Sequence, residues 1–203
     1  GATNPTPSIM KEYFVNELLR INPAFTQEEI DKGMECFESK FFKAKEIISQ
    51  EGQFAEYLFF ADSSITRCYY HNQKGEESTL WMKPERTFIA EYKSFTSGEN
   101  SRFNLQLYED TEVLMIRRKD LLGLFKTSNN WAVFGGHLTE VLHATLIDVF
   151  WNLLANDATS NYRYIEYAFP RFIQVAPLKD IASMLQISQV SLSRIRSGNQ
   201  LKA

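Results

Sequence analysis

The side chains best suited to chemistry lie between Pro177 and Arg196, in the run PLKDIASMLQISQVSLSRIR. Ile181, Ala182 and Leu185 form one apolar stripe at helical spacing, and Leu192 and Ile195 begin another. Between them, Gln186-Ile187-Ser188 reads as a three-residue turn whose Ile187 packs inward. Ala182 is small where two crossing helices must approach closely, and Ser188 is a good N-cap for the second helix. This is the pattern of a helix-turn-helix, whose second helix enters the major groove of double-stranded DNA. Its outward positions are Gln189, Val190, Ser193, Arg194 and the nearby Arg196. Gln can pair with adenine, Arg with guanine or phosphate, and Val190 can touch a thymine methyl. A plain αα-hairpin would show the same stripes; the small residue, the turn and the cap together favour DNA. Gln186 stands where a glycine would ease the turn, so strain is expected there.

Other reactive residues do not assemble into a motif. His71, His137 and His143 are scattered, and six positions is a poor helical spacing for shared metal ligation, so no metal site is expected. Cys68 falls in a β-prone run and reads as a small buried hydrophobe. There is no Gly-rich nucleotide loop, nucleophile elbow or paired-carboxylate motif, and an enzyme is not expected.

The elements that must position the terminal motif follow from periodicity. Ile9 to Ile21 has helical spacing, and Thr26 is an N-cap for a second helix running to about Cys36. From Phe41 the period changes: Phe41-Phe42, Ile47-Ile48, Tyr57 to Phe60, Ile65 to Tyr70, Phe103 to Tyr108 and Val113 to Ile116 are short β-prone runs. Polar turns such as Glu51-Gly52-Gln53 and His71 to Gly75 separate them, which predicts an antiparallel barrel or sandwich, a jelly roll among the candidates. Beyond about residue 128 the pattern is helical to the end. Trp131 to Ala155 is apolar on more than one face, so it needs two burial partners: the barrel and, most economically, a second copy of itself. Gly135-Gly136-His137, Glu140, His143 and Asp148 interrupt it, so a membrane span is not expected.

Composition is consistent with this. Hydrophobic residues at 44% and charged residues at 23% exclude disorder and fibrous repeats, and 203 residues can bury a core without disulfides. Two cysteines, Cys36 and Cys68, are too few for a disulfide framework and point to a reducing cytoplasm. The chain opens Gly1-Ala2-Thr3-Asn4-Pro5 without an apolar leader, and Gly1 reads as the remnant of a cleaved tag. The net charge of −3 conceals an asymmetry: residues 161–203, Lys202 included, carry +4 and the rest −7. A small basic end on an acidic body fits a nucleic-acid module attached to a regulatory one.

Read together, these stretches resemble the bacterial Crp/Fnr family of transcription regulators over nearly the whole chain. The resemblance rests on Glu51 to Phe60, Tyr108 to Ile116, Leu153 to Ala158, Tyr164 to Pro177 and the helix-turn-helix, with Ser188 and Arg194 at family DNA-contact positions. It implies an α+β fold in three parts. Residues 1–127 would form a cyclic-nucleotide-binding-like antiparallel jelly roll with N-terminal helices. A long dimerisation helix would cover 128–156, and 157–203 would be a small winged-helix-type DNA-binding domain. It also implies a homodimer, and RNA polymerase as a further partner if the protein is an activator. Family members that bind cyclic nucleotides have a phosphate cassette, Phe-Gly-Glu followed by Arg-Ser/Thr-Ala. Here the stretches read Phe88-Ile89-Ala90-Glu91 and Asn100-Ser101-Arg102-Phe103-Asn104. Ile89 is taken to replace the glycine, and Ser101 rather than Arg102 falls at the phosphate position. Glu91, Ser101 and Arg102 are the candidate effector-pocket residues, Arg102 only through a shifted register. Weak or absent cyclic nucleotide binding is expected, with no cofactor; the identity of any small-molecule effector is left open. Ser64 stands where a jelly-roll turn glycine is usual, and Val190 where many members have a base-reading Glu. The family's iron–sulfur oxygen sensors carry clustered N-terminal cysteines that this chain lacks.

Three functional classes follow. The leading one is an effector-responsive DNA-binding regulator. The alternative is a ligand-binding jelly-roll protein with a degenerate DNA-binding head, suggested by Val190 and Gln186. A cupin-like metalloenzyme would need clustered His ligands.

Overall fold

Two four-stranded antiparallel sheets, in the orders β1-β8-β3-β6 and β2-β7-β4-β5, face one another in the middle of the chain. Their strands are β1 Glu38–Phe42, β2 Ile47–Ser49, β3 Tyr57–Ala61, β4 Thr66–His71, β5 Glu77–Lys83, β6 Phe88–Ile89, β7 Asn104–Leu107 and β8 Thr111–Arg117. The structure is a computed structural model and describes residues 7–198; Gly1 and Lys202, both noted above, lie outside them. Phe59, Cys68, Leu105, Leu107 and Val113 fill the space between the sheets. Cys68 is wholly buried, as the sequence suggested, and burial pushes its thiol well above the ordinary range. Ser64 ties its turn to the end of β7 by hydrogen bonding. Its buried hydroxyl accepts from the N–H groups of Tyr108 and Glu109, each at 3.0 Å, and donates to the Ile65 carbonyl.

Helices close both ends of this sandwich. α1 Pro7–Ile21 and α2 Gln27–Met34 pack with α4 Arg118–Thr127 and the start of α5 Asn129–Ala155 into an aromatic cluster around Phe14, Phe60, Phe88, Trp131 and Phe134. Thr26 and Glu29 form a capping box that starts α2, and the helix ends at Met34, short of the expected Cys36. Gly33 lets α2 press against α5: a Cβ there would lie 2.1 Å from the Trp131 ring. Ser128 caps α5 by accepting from the Trp131 N–H. Among the described residues α5 alone is long and apolar enough to cross a membrane, yet its first half buries Trp131, Phe134 and Leu138 in the protein core. The α+β architecture with a long helix after the jelly roll is the one expected from sequence.

The C-terminal head consists of α6 Ala158–Ala168, α7 Pro170–Val175, α8 Leu178–Met184 and α9 Gln189–Arg196. No strand follows α9 among the described residues. Ile165, Phe172, Ile181, Leu185, Leu192 and Ile195 make its core, which is continuous with Ile65 and Met82 of the sandwich and Val149 of α5. The run Glu77 to Lys83 carries no clear β signal in the sequence, yet it is β5, the strand on which the head rests. Its alternation is blurred because both of its faces are partly covered, one by the opposite sheet and one by helices.

Candidate nucleic-acid interface and effector pocket

α8 and α9 are joined by a tight turn held by the N–H groups of Gln186 and Ile187, which donate to the carbonyls of Ser183 and Ala182. Closing it places Gln186 at φ +55°, a left-handed conformation that costs an L side chain about 1–2 kcal/mol. Ala182 is buried where the two helices cross, and Ile187 packs against the head core. Ser188 caps α9, its Oγ accepting from the Ser191 N–H at 3.1 Å. Leu192 and Ile195 point inward, so Ser188, Gln189, Val190, Ser193, Arg194 and Arg196 all stand exposed, Val190 to 62%. The six residues singled out from sequence therefore share the free side of α9 and its cap.

The opposite side of the motif is committed to the sandwich. The Arg67 side chain, in β4, is almost entirely buried and reaches across the seam. Its Nη2 lies 3.3 Å from Asp180 Oδ1 of α8, an ion pair rather than an aligned hydrogen bond. The rest of the guanidinium is held by Thr79 Oγ1 and Glu77 Oε2, each at 2.9 Å, and it stacks on the Tyr69 ring. Asp180 also accepts from the Tyr108 hydroxyl at 2.9 Å. Burial, reinforced by the neighbouring carboxylate, holds that phenol far above its usual range. Beside this pair the Thr79 N–H donates to Ser183 Oγ at 3.0 Å. At the rim Arg171 Nη2 donates to Glu109, at 2.6 and 2.7 Å to its two carboxylate oxygens. None of these seam residues was singled out from sequence. The available signal was an acidic side chain, Asp180, adjoining the apolar stripe of the first motif helix.

The cassette region is arranged differently. Its short helix, α3 Tyr92–Ser97, ends at Gly98, which takes φ +79°. Glu91 is buried, and its carboxylate caps α3 by accepting from the N–H groups of Lys93 and Ser94, both at 3.1 Å. Counted back from Glu91, the glycine's place falls on Ala90, which is buried; Ile89 is the β6 residue before it, paired with Phe59. Ser101 is buried too, its hydroxyl bonded to both the N–H and the C=O of Phe103 at 2.9 Å. Arg102 is exposed and makes no ion pair among the described residues. Glu91, Ser101 and Arg102 do not line one common cavity.

A cavity of about 300 Å³ opens beside them, between the ends of β5 and β6, the start of α3 and the middle of α5. Glu91 borders it; Ser101 and Arg102 do not. Among the described residues no group of His, Cys, Asp or Glu could hold a metal ion. His71 pairs with Glu51 at 2.9 Å, His137 contacts the Ile21 carbonyl at 3.1 Å, and His143 borders the cavity.

Residues 39–128 match the cyclic nucleotide-binding domain family. Several structural neighbours that span 80–90% of the chain are Crp/Fnr-type transcription regulators. The catabolite activator protein of Thermus thermophilus is 19% identical, with 90% of this chain and 85% of that one covered at a TM-score of 0.55. FixK2 of Bradyrhizobium japonicum is 18% identical over 80% of this chain and 83% of its own, at 0.59. The c-di-GMP-responsive global regulator CLP of Xanthomonas campestris is 15% identical over 88% and 95%, at 0.65. No curated protein sequence matches the chain.

Proposed function

We propose that this protein, which has the fold of the Crp/Fnr-type regulators, is a cytoplasmic DNA-binding transcription regulator that works as a homodimer. The observation that carries the reading is the free side of α9. Its cap and apolar face are satisfied within the head, while Gln189, Ser193, Arg194 and Arg196 are left to solvent. Those side chains offer donors and acceptors to base edges and charge to phosphates. The acidic body would repel DNA and orient the basic head toward it.

A dimer is supported by the second half of α5. Ile147, Trp151 and Leu154 recur at spacings of four and three and are 53%, 70% and 84% exposed, a stripe that a symmetry-related α5 would cover. Two recognition helices carried on paired α5 helices would read two half-sites. The seam around Arg67 and Asp180 is the contact through which the sandwich governs the head. A ligand regulates DNA binding only insofar as it binds better to one head arrangement than to the other.

The test is a salt-titrated gel shift on genomic fragments. A regulator binds a subset of fragments in the presence of competitor DNA. Equal binding to all sequences would favour the alternative, a ligand-binding protein with a degenerate head, for which the apolar Val190 and the strained turn speak. Light scattering should give twice the 23.6 kDa chain mass; a monomer at micromolar concentration would refute the dimer.

A further inference from the structure

The cavity beside α3 has two properties that together define a ligand class. Its walls are apolar: Trp81, Phe88 and Phe103 from the sandwich face Leu142, Leu146 and Val149 of α5. Within that lining sits one half-buried cation, Lys83 at the end of β5, whose ammonium makes no ion pair or hydrogen bond among the described residues. The other charged groups nearby are already engaged. Glu91 caps α3, Lys93 faces Glu99 at the rim, and Glu17 and Arg20 are paired bidentately with each other. Lys83 also borders a second hollow of about 170 Å³ that shares Met82, Phe88, Leu142 and Thr145 with the first.

From this geometry we infer that the cavity binds an amphipathic monoanion, an apolar carboxylate whose acid group pairs with Lys83 while its aliphatic or aromatic body lies between the sandwich and α5. A desolvated, unpaired ammonium is unfavourable, and a carboxylate partner would remove that cost. The cost is visible in the lysine itself, since burial pushes its ammonium down to about 8. A cyclic nucleotide is a poor match. Its ribose and base edges would meet apolar walls, and the N–H groups that start α3 are already taken by Glu91. Val149 gives the site a route to the head, because it lines the cavity and is also buried in the head core. A ligand seated against α5 would shift the head by that contact; this consequence, unlike binding itself, rests on the regulator reading.

Calorimetry with the full chain tests the site. The probes are decanoate and 4-phenylbutyrate, both below their aggregation concentrations, with decanol and cyclic AMP as comparisons. At least one acid should bind with a Kd of about 10 μM or tighter, and cyclic AMP at least tenfold more weakly. Which acid binds better separates an aliphatic from an aromatic ligand. Lys83→Met keeps the apolar stem and removes an unpaired charge, so it should fold; it should weaken the acid at least tenfold and leave decanol unchanged. Leu146→Trp fills the cavity from α5 and should abolish both. Absence of acid binding, or an acid affinity unchanged in Lys83→Met, would overturn the assignment. A gel shift run in parallel separates the two readings. Acid binding without DNA binding leaves the site standing and refutes the regulator, and DNA binding without acid binding does the reverse.

Discussion

The cassette around α3 and the proposed recognition helix α9 spend their polar groups in opposite ways. In the cassette, Glu91 and Ser101 turn their oxygens onto their own backbone, capping α3 and closing the turn at Phe103. In α9, one short side chain, Ser188, satisfies the helix start, and the longer Gln189, Arg194 and Arg196 are released outward. A site that satisfies itself has nothing left to offer a phosphate, whereas a site that delegates its own satisfaction to one residue keeps the rest for a ligand. The comparison teaches where to look for an effector in this chain: beside the cassette, where Lys83 is still unpaired, and not within it.

The largest effect that would test this contrast lies in the seam joining the two regions. Arg67→Met leaves Asp180 buried without its cation and should destabilise the protein by about 3–5 kcal/mol, read as a lower denaturant midpoint. The same variant loosens one of several contacts between α8 and the sandwich, the Tyr108–Asp180 and Thr79–Ser183 hydrogen bonds being left in place. A midpoint within error of the parent would mean that the head is not held by this pair.

Next in size is Arg194→Ala. On a specific operator it should cost about 1–3 kcal/mol and relax preference at one base pair. If Arg194 touches only phosphate, affinity falls about equally on all sequences and the salt slope drops by about one charge. Parent-like binding at moderate salt to both operator and random DNA would remove α9 from the interface.

Glu91→Ala probes the other region. As a lost N-cap it should lower stability by about 0.5–2 kcal/mol, and cyclic AMP binding should stay as weak as in the parent. A measurable loss of nucleotide affinity would show that Glu91 holds a ligand as well as its helix, and the contrast between the regions would fail.

Why one region was legible in the sequence and the other was not follows from the range of the interactions. Ser188 bonds three residues ahead, Ala182 and Ile187 pack within their own motif, and every part of the helix-turn-helix signal falls in a short window. The strand runs were readable for the same reason, save the two-residue β6, too short to show a period, and β5, whose alternation is erased by partners far away in the chain. Thr79 and Ser183, which meet across the seam, are 104 positions apart, and no periodicity marks them. Glu91 differs again: Glu is not a favoured N-cap, so its bonds to the N–H groups of Lys93 and Ser94 had no local signal. The three hydrogen bonds of Ser64 likewise have no local signal, because they exist only once the end of β7 lies beside the turn.

The smallest effect concerns the turn on which the presentation of α9 depends. Gln186 adopts φ +55°, its side chain is exposed, and the turn uses only its backbone N–H. Gln186→Gly therefore removes no contact and relieves a left-handed conformation worth about 1–2 kcal/mol to an L residue. Glycine gives back part of that gain, because it frees the unfolded chain by about 0.5–1 kcal/mol. The net expectation is a stabilisation of about 0.5–1 kcal/mol, read by thermal or denaturant unfolding of the variant beside the parent. DNA affinity should stay level, since the cap at Ser188 and the free side of α9 are untouched. If the variant is instead less stable, the strain at Gln186 is not what limits the turn. If DNA binding falls while stability rises, the positive φ is serving presentation of α9, and the contrast between a self-satisfied cassette and an outward-facing helix extends to the backbone that joins α8 to α9.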